Sequence, residues 1–182
     1  MNRLWNRLKY MLSPQFDTYK EITNIVHGKV ADVGFGTGFG THLLTVNAEK
    51  VTGYEIDKDA LAFAKEVFPF SKVEFQYGDI LKGINGKYDY VVMVDVIEHV
   101  KNDNLLVKNV NEMLKESGTF ICSTPNRNSR YRKSEGHIRE YAPTDLKFLL
   151  NKVFSDVRIC NYKLKKIISL YENPLIAICG RG

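Results

Sequence analysis

Acids and imidazoles stand at the ends of apolar runs in this chain, where side chains are free to meet a ligand. Asp32 closes "KVADVG", Glu55 closes "VTGYEID", Asp79 sits in "FQYGDI", and "YDYVVMVDVIEHV" supplies Asp95, Glu98 and His99. His137 follows in "GHIREY". Carboxylates spread over successive turns accept hydrogen bonds from hydroxyl, amino and ammonium groups. Imidazoles add acid–base function near neutral pH.

Between the first two acids runs a ladder, Gly34, Gly36, Gly38 and Gly40. Missing side chains let a ligand approach the backbone, and positive φ becomes available where a turn demands it. A plain strand-to-helix turn calls for one such glycine rather than four in alternation. The dinucleotide pattern GxGxxG does not fit, because its third glycine falls on Phe39 or Thr41, depending on the starting glycine. A strand-end acid would also repel a pyrophosphate.

The elements that must position these residues follow from periodicity. Leu4, Trp5, Leu8 and Met11 or Leu12 recur at helical spacing until Ser13-Pro14. A second helix is predicted from Phe16 to Val26, with Ile22 and Ile25 on one face, stopped by His27-Gly28. Strands are predicted at "KVADVG", "KVTGYEI", "KVEFQYG", "YDYVVMV" and "GTFICST", with helical segments such as "KDALAFAKEVF" and "NDNLLVKNVNEMLKES" between most of them. Near-continuous apolar runs mark strands covered on both faces. After a helix at Pro143 to Lys152, "FSDVRICNYK" and "NPLIAICG" leave no room for a crossover helix and so form an antiparallel hairpin. The expectation is an α/β protein with a doubly wound, mostly parallel, seven-stranded sheet that ends in that hairpin. In such a sheet the first strand's carboxyl end borders the ligand crevice.

Length and composition frame this reading. The chain has 182 residues, enough for one domain and too few for two ordinary ones. Residues 1–28 form N-terminal helices and a candidate lid, and residues 29–182 form the ligand-binding core. Apolar residues make up 44% and charged residues 26%, the balance of a globular protein. No run has signal-peptide or membrane-helix character, which predicts a cytoplasmic protein without membrane contact. Cys122, Cys160 and Cys179 are widely spaced in strand-like runs and read as buried small hydrophobes. The net charge of +5 favours an anionic partner.

The stretch Asp32-Val33-Gly34-Phe35-Gly36-Thr37-Gly38 resembles motif I of the class I S-adenosylmethionine-dependent methyltransferases, a Rossmann-like family. The resemblance implies that Gly34, Phe35, Gly36 and Gly38 lie against the cofactor's methionine and ribose and that Asp32 helps to hold its amino end. It implies that Glu55, with Ile56 beside it, accepts the ribose hydroxyls. Asp79 would receive the adenine amino group, and Ile80 would pack on the ring. Asp57, two residues past the strand end, reads instead as a helix cap. Asp95 would line the methionine end and face the acceptor.

"DVIEHV" resembles a subgroup that includes the ubiquinone-biosynthesis O-methyltransferases, in which Glu98 and His99 would open the next helix near the transferring methyl. Some relatives bind magnesium or manganese with an acid-x-x-Glu-His set. That implies Asp95, Glu98 and His99 as metal ligands, with His137 as a further one; the alternative is that Glu98 and His99 only shape the pocket. His99 and His137 are the candidate bases for a hydroxyl acceptor.

Arg127, Arg130, Arg132, Lys133 and Arg139, interleaved with Tyr131 and Tyr141, would overhang the site and either grip an anion or remain a solvated basic loop. A small-molecule acceptor, anionic in keeping with the charge, is the leading expectation, and an RNA acceptor is the alternative. A nicotinamide-dependent oxidoreductase is disfavoured by the glycine spacing and by the lack of a Tyr-x-x-x-Lys pair in mid-chain. A non-catalytic cofactor-binding scaffold is the remaining alternative. No Asn/Asp-Pro-Pro-Tyr/Phe follows the fourth strand, which counts against methylation of exocyclic amines on DNA bases.

Overall fold

The computed structural model describes residues 13, 15–69, 71–129, 136–167, 169 and 171–181. The expected first helix (Leu4, Trp5, Leu8) and Arg130, Tyr131, Arg132 and Lys133 of the basic loop lie outside the described residues. In chain order the elements are α1 (Gln15–Thr23), β1 (Lys29–Val33), α2 (Phe39–Leu44), β2 (Lys50–Glu55), α3 (Lys58–Val67), β3 (Val73–Tyr77), β4 (Tyr88–Val94), α4 (Asp103–Met113), β5 (Leu114–Thr124), α5 (Pro143–Leu150), β6 (Asp156–Cys160) and β7 (Leu175–Gly180).

The strands form one Rossmann-like sheet in the order β3-β2-β1-β4-β5-β7-β6. The first five run parallel to their neighbours. β7 is antiparallel to both β5 and β6, so the expected hairpin inserts its second strand against the parallel body. The chain winds outward from β1 to β3 and then returns to the other side of β1 as β4. The β1/β4 boundary is therefore the switch point where a crevice opens at the carboxyl ends.

Each sheet face buries its own cluster, as a doubly wound sheet requires. Ile22, Leu44, Val51, Phe68 and Ile176 pack with α1, α2 and α3 on one face. Leu106, Val110, Phe120, Leu146 and Phe154 pack with α4 and α5 on the other. The three cysteines are free and buried in these layers.

Three boundaries differ from the sequence expectation. The crossover from β3 to β4 holds only a 3-10 turn at Ile80–Lys82. The expected helix over 102–117 ends at Met113, because Leu114 leaves the helix to pair with Tyr88 and begin a long β5, with a register shift between Tyr88 and Tyr90. Glu98 and His99 do not open a helix. They occupy a 3-10 turn, Ile97–His99, and α4 starts only after Asn102, whose side chain accepts from the Leu105 N–H.

Candidate active site

Two cavities open at the carboxyl ends of the strands and meet at Gly34 and Asp95. The larger, about 500 Å³, is lined by Glu55, Ile56, Asp79 and Ile80 on one flank and by His99, Lys101 and Ile138 on the other. The smaller, about 250 Å³, lies between the glycine loop and the start of α1, against Gln15, Tyr19, Phe35 and Gly36.

The glycine loop is shaped by more than one demand. Gly36 has φ 57°, and a side chain built there would meet nothing within 4 Å, so its missing Cβ leaves open space for a ligand. Its N–H donates to Glu55 Oε2 at 2.8 Å, while Glu55 Oε1 accepts from the N–H groups of Ile56 and Asp57. Glu55 is thus fixed by three backbone donors, two on Oε1 and one on Oε2, which leaves lone-pair capacity on Oε2 for a ligand. Gly40 answers to packing instead: a Cβ there would lie 2.1 Å from the Tyr19 ring. Gly38 caps α2 in the left-handed region, and Phe35 is buried against Phe75.

Asp57 caps α3 through Asp59 N and Ala60 N, as the sequence predicts. Asp79 Oδ1 accepts from Leu81 N at 3.0 Å, beside buried Ile80. Asp32 is placed differently from the expected contact with the cofactor's amino end. It lines neither cavity; its carboxylate is fully buried and accepts from Thr41 Oγ1 at 2.7 Å and from Tyr19 OH. Burial raises its pKa to about 7, although both donors pull it down.

Asp95 follows β4 with φ 54°, a left-handed conformation that a non-glycine residue adopts only where its surroundings impose it. Ser123 Oγ donates to its Oδ1 at 2.7 Å, and Gln15 Nε2 donates to its Oδ2 at 3.2 Å. Beyond it, Glu98 is fully buried; Thr124 Oγ1 donates to Oε2 at 2.9 Å, while Oε1 has no hydrogen-bond partner. Burial and then Asp95 raise the Glu98 pKa to about 7.

The His99 and His137 rings lie 4.9 Å apart, edge to face. His99 Nδ1 is 3.0 Å from the Gly136 carbonyl, and His137 Nδ1 is 2.9 Å from Glu140 Oε1. With Nδ1–H donated to oxygen, each ring keeps Nε2 as a lone-pair donor. One ligand atom from each of Glu98, His99 and His137 falls within 4.8 Å of the others. Asp95, first in the acid-x-x-Glu-His pattern, is not in that set; its carboxylate accepts from Ser123 and Gln15. The orphaned buried oxygen and the two oriented imidazoles fit a divalent cation. Two nitrogen donors suit manganese, zinc or iron better than magnesium.

Arg127 and Arg139, expected either to grip an anion or to remain solvated, pair with Asp145 and Asp103 of this chain.

The methyltransferase domain family model matches residues 26–167. The chain belongs to the family of S-adenosylmethionine-dependent methyltransferase domains. Its match to a ribosomal protein L11 methyltransferase of Dictyoglomus thermophilum is 41% identical over 97 residues, covering 52% of this chain and 31% of that one. A ubiquinone biosynthesis O-methyltransferase of Pseudomonas syringae is 28% identical over 115 residues, 60% of this chain and 50% of that one. The chain thus spans half or less of the length of these relatives. The N-methyltransferase NodS of Bradyrhizobium japonicum, solved with S-adenosylhomocysteine, shares the fold with a TM-score of 0.70 at 17% identity, covering 94% of this chain and 90% of that one.

S-adenosylmethionine is the cofactor of this methyltransferase family, and the site's chemistry suits it. Glu55 and Asp79 are acceptors for hydroxyl and amino groups, and no cationic side chain lines the glycine-loop cavity among the described residues. Thr41, Ser123, Thr124, Gln15 and Glu140 were missed by sequence reasoning. Only Ser123 and Thr124, at the end of "FICST", and Glu140, three residues after His137, carried a local signal.

Proposed function

We propose that this domain transfers the methyl group of S-adenosylmethionine to a hydroxyl of a small, anion-bearing molecule. The carrying observation is the junction at Asp95, where a flank of acids meets a flank that carries His99, with the His137 ring 4.9 Å from it. In this reading Glu55 takes the ribose hydroxyls, with Ile56 beside them. Asp79 takes the adenine amine over Ile80; Gly34, Phe35 and Gly36 bed the ribose and methionine, and Gly38, which lines neither cavity, shapes the turn into α2. Asp95 takes the ammonium, and Asp32 supports the loop from below.

The reaction is an in-line displacement: the acceptor oxygen forms its bond to the methyl carbon as the carbon–sulfur bond breaks, and S-adenosylhomocysteine leaves. The sulfonium is already activated, so the protein's share is alignment and removal of the hydroxyl proton. Nε2 of His99 or His137 accepts that proton, since Nδ1 of each ring is committed to an oxygen. In place of an imidazole base, a divalent cation held by Glu98, His99 and His137 would occupy both Nε2 lone pairs and would supply Lewis acidity that makes the hydroxyl more acidic. Lys101 in the cavity wall favours an acceptor with a carboxylate or phosphate. An RNA acceptor has less support, because Arg127 and Arg139 are paired internally.

Thermal shift with S-adenosylmethionine, S-adenosylhomocysteine and NAD tests the cofactor, and a shift with NAD alone overturns it. A labelled-methyl screen across phenols, hydroxy acids, amines and RNA tests the acceptor. Transfer confined to amines or RNA overturns the hydroxyl assignment.

A further inference from the structure

S-adenosylmethionine carries an α-carboxylate beside its ammonium, and the cavity between the glycine loop and α1 has to receive both. Asp95 suits the ammonium. For the carboxylate, this wall offers no Lys, Arg or His among the described residues; its side-chain donors are the hydroxyls of Ser13, Tyr19 and Thr37 and the amide of Gln15. Tyr19 OH is committed to Asp32.

Gln15 differs from the others in being oriented at both ends of its amide. Ser13 Oγ donates to Gln15 Oε1, and Gln15 Nε2 donates one N–H to Asp95 Oδ2 at 3.2 Å. A primary amide has two N–H donors, so the second is left for a ligand next to Asp95.

The helix that carries Gln15 is anchored independently. Tyr19 lies one turn further along α1, on the same face. Its hydroxyl reaches Asp32, and its ring rests over Gly40 so closely that only glycine fits there. Phe16 stacks on Phe39 at 5.9 Å. Gln15 is therefore held against β4 by contacts that do not involve its own side chain.

We propose that Gln15 bridges Asp95 and the cofactor's α-carboxylate, so that α1 supplies the carboxylate end of the cofactor site. The proposal rests on the cofactor reading above. It makes Gln15 a specificity residue for the amino-acid half of the cofactor, and it gives α1 a binding role in addition to covering the sheet.

The test compares two ligands by calorimetry: S-adenosylhomocysteine and S-adenosyl-3-thiopropylamine, which lacks only the carboxylate. Wild type is expected to prefer the former by about tenfold or more, the scale of a hydrogen bond to a charged group. Gln15→Ala should cut that preference to about threefold or less, weakening S-adenosylhomocysteine and leaving the amine within about twofold. Gln15→Glu should weaken S-adenosylhomocysteine further, because a carboxylate would then face a carboxylate, while the amine keeps its affinity. Equal weakening of both ligands, or an unchanged preference, overturns the role of Gln15 while leaving the cofactor reading intact. Failure of wild type to bind S-adenosylhomocysteine overturns the cofactor reading and this proposal with it.

Discussion

The carboxyl ends of β1 to β3 and those of β4 and β5 both gather acids, and they treat them differently. On the first side, Glu55 is fixed by three backbone N–H groups, Asp79 by a donor two residues away, and Asp32 by two hydroxyls. On the second side, Glu98 keeps a buried oxygen without a partner, and its neighbours His99 and His137 each hold a lone pair in reserve. Unsatisfied buried polar atoms cost stability, so a fold retains them where something else is served. The first side is a finished cradle. The second is a convergent donor set with spare capacity, which is what proton transfer or a cation requires.

The largest effect that would sharpen this contrast belongs to Asp32. Burial raises its pKa from 3.8 to about 7, with Tyr19 and Thr41 pulling it down and Glu55 pushing it up. Between about pH 4 and pH 7 the folded chain therefore holds a proton that the unfolded chain has released. This contribution to stability is complete at the acid end, falls as pH rises through the window, and is flat above it. The gap between 3.8 and about 7 corresponds to about 4 kcal/mol. Asp32→Asn should flatten the wild-type slope in urea denaturation followed across that window. An unchanged slope would mean that Asp32 is solvated and belongs to the cavity after all.

Next in size is Glu55→Ala. It removes the acceptor assigned to the ribose and releases the Gly36 N–H, so S-adenosylhomocysteine affinity should fall by about a hundredfold, equivalent to two charge-assisted hydrogen bonds. Glu98→Gln, on the other side, should leave that affinity within about twofold while abolishing the thermal stabilisation conferred by manganese or zinc. The two-sided picture breaks if Glu98→Gln weakens the cofactor as much as Glu55→Ala does. If no divalent cation stabilises the wild-type protein, the cation role of the second side falls and proton transfer alone remains for it.

The same contrast explains how much could be read before the structure. The first side was legible at Glu55 and Asp79 because they are held by residues close in sequence or by the glycine ladder. "DVGFGTG", "YEID" and "YGDI" announce their turns, and the strand–helix alternation places them on one sheet edge. The second side depends on distant contacts: Gln15 meets Asp95 across 80 residues, and Thr124 meets Glu98 across 26. No local pattern encodes those approaches. The resemblance implied Asp95 as a metal ligand, whereas the donor set that the structure gathers is Glu98, His99 and His137. The burial of Asp32 was illegible for a related reason, since it depends on Tyr19 arriving from α1. The fourth glycine belongs to that same packing rather than to the ligand.

The smallest effect makes the sharpest control. Asp57 stands two residues after Glu55, is also acidic, and also binds backbone N–H groups, but it faces the start of α3 and lines neither cavity. Asp57→Ala should cost about 1 kcal/mol, the usual value of an N-cap, and leave S-adenosylhomocysteine affinity within about twofold. Chemical denaturation and calorimetry on one sample read both quantities. If Asp57→Ala lowers affinity as Glu55→Ala does, the cofactor's ribose lies nearer the helix cap than the cradle, and the assignment of the β2 acid moves by two residues. If only stability falls, two neighbouring carboxylates with similar partners have been separated by the direction each one faces.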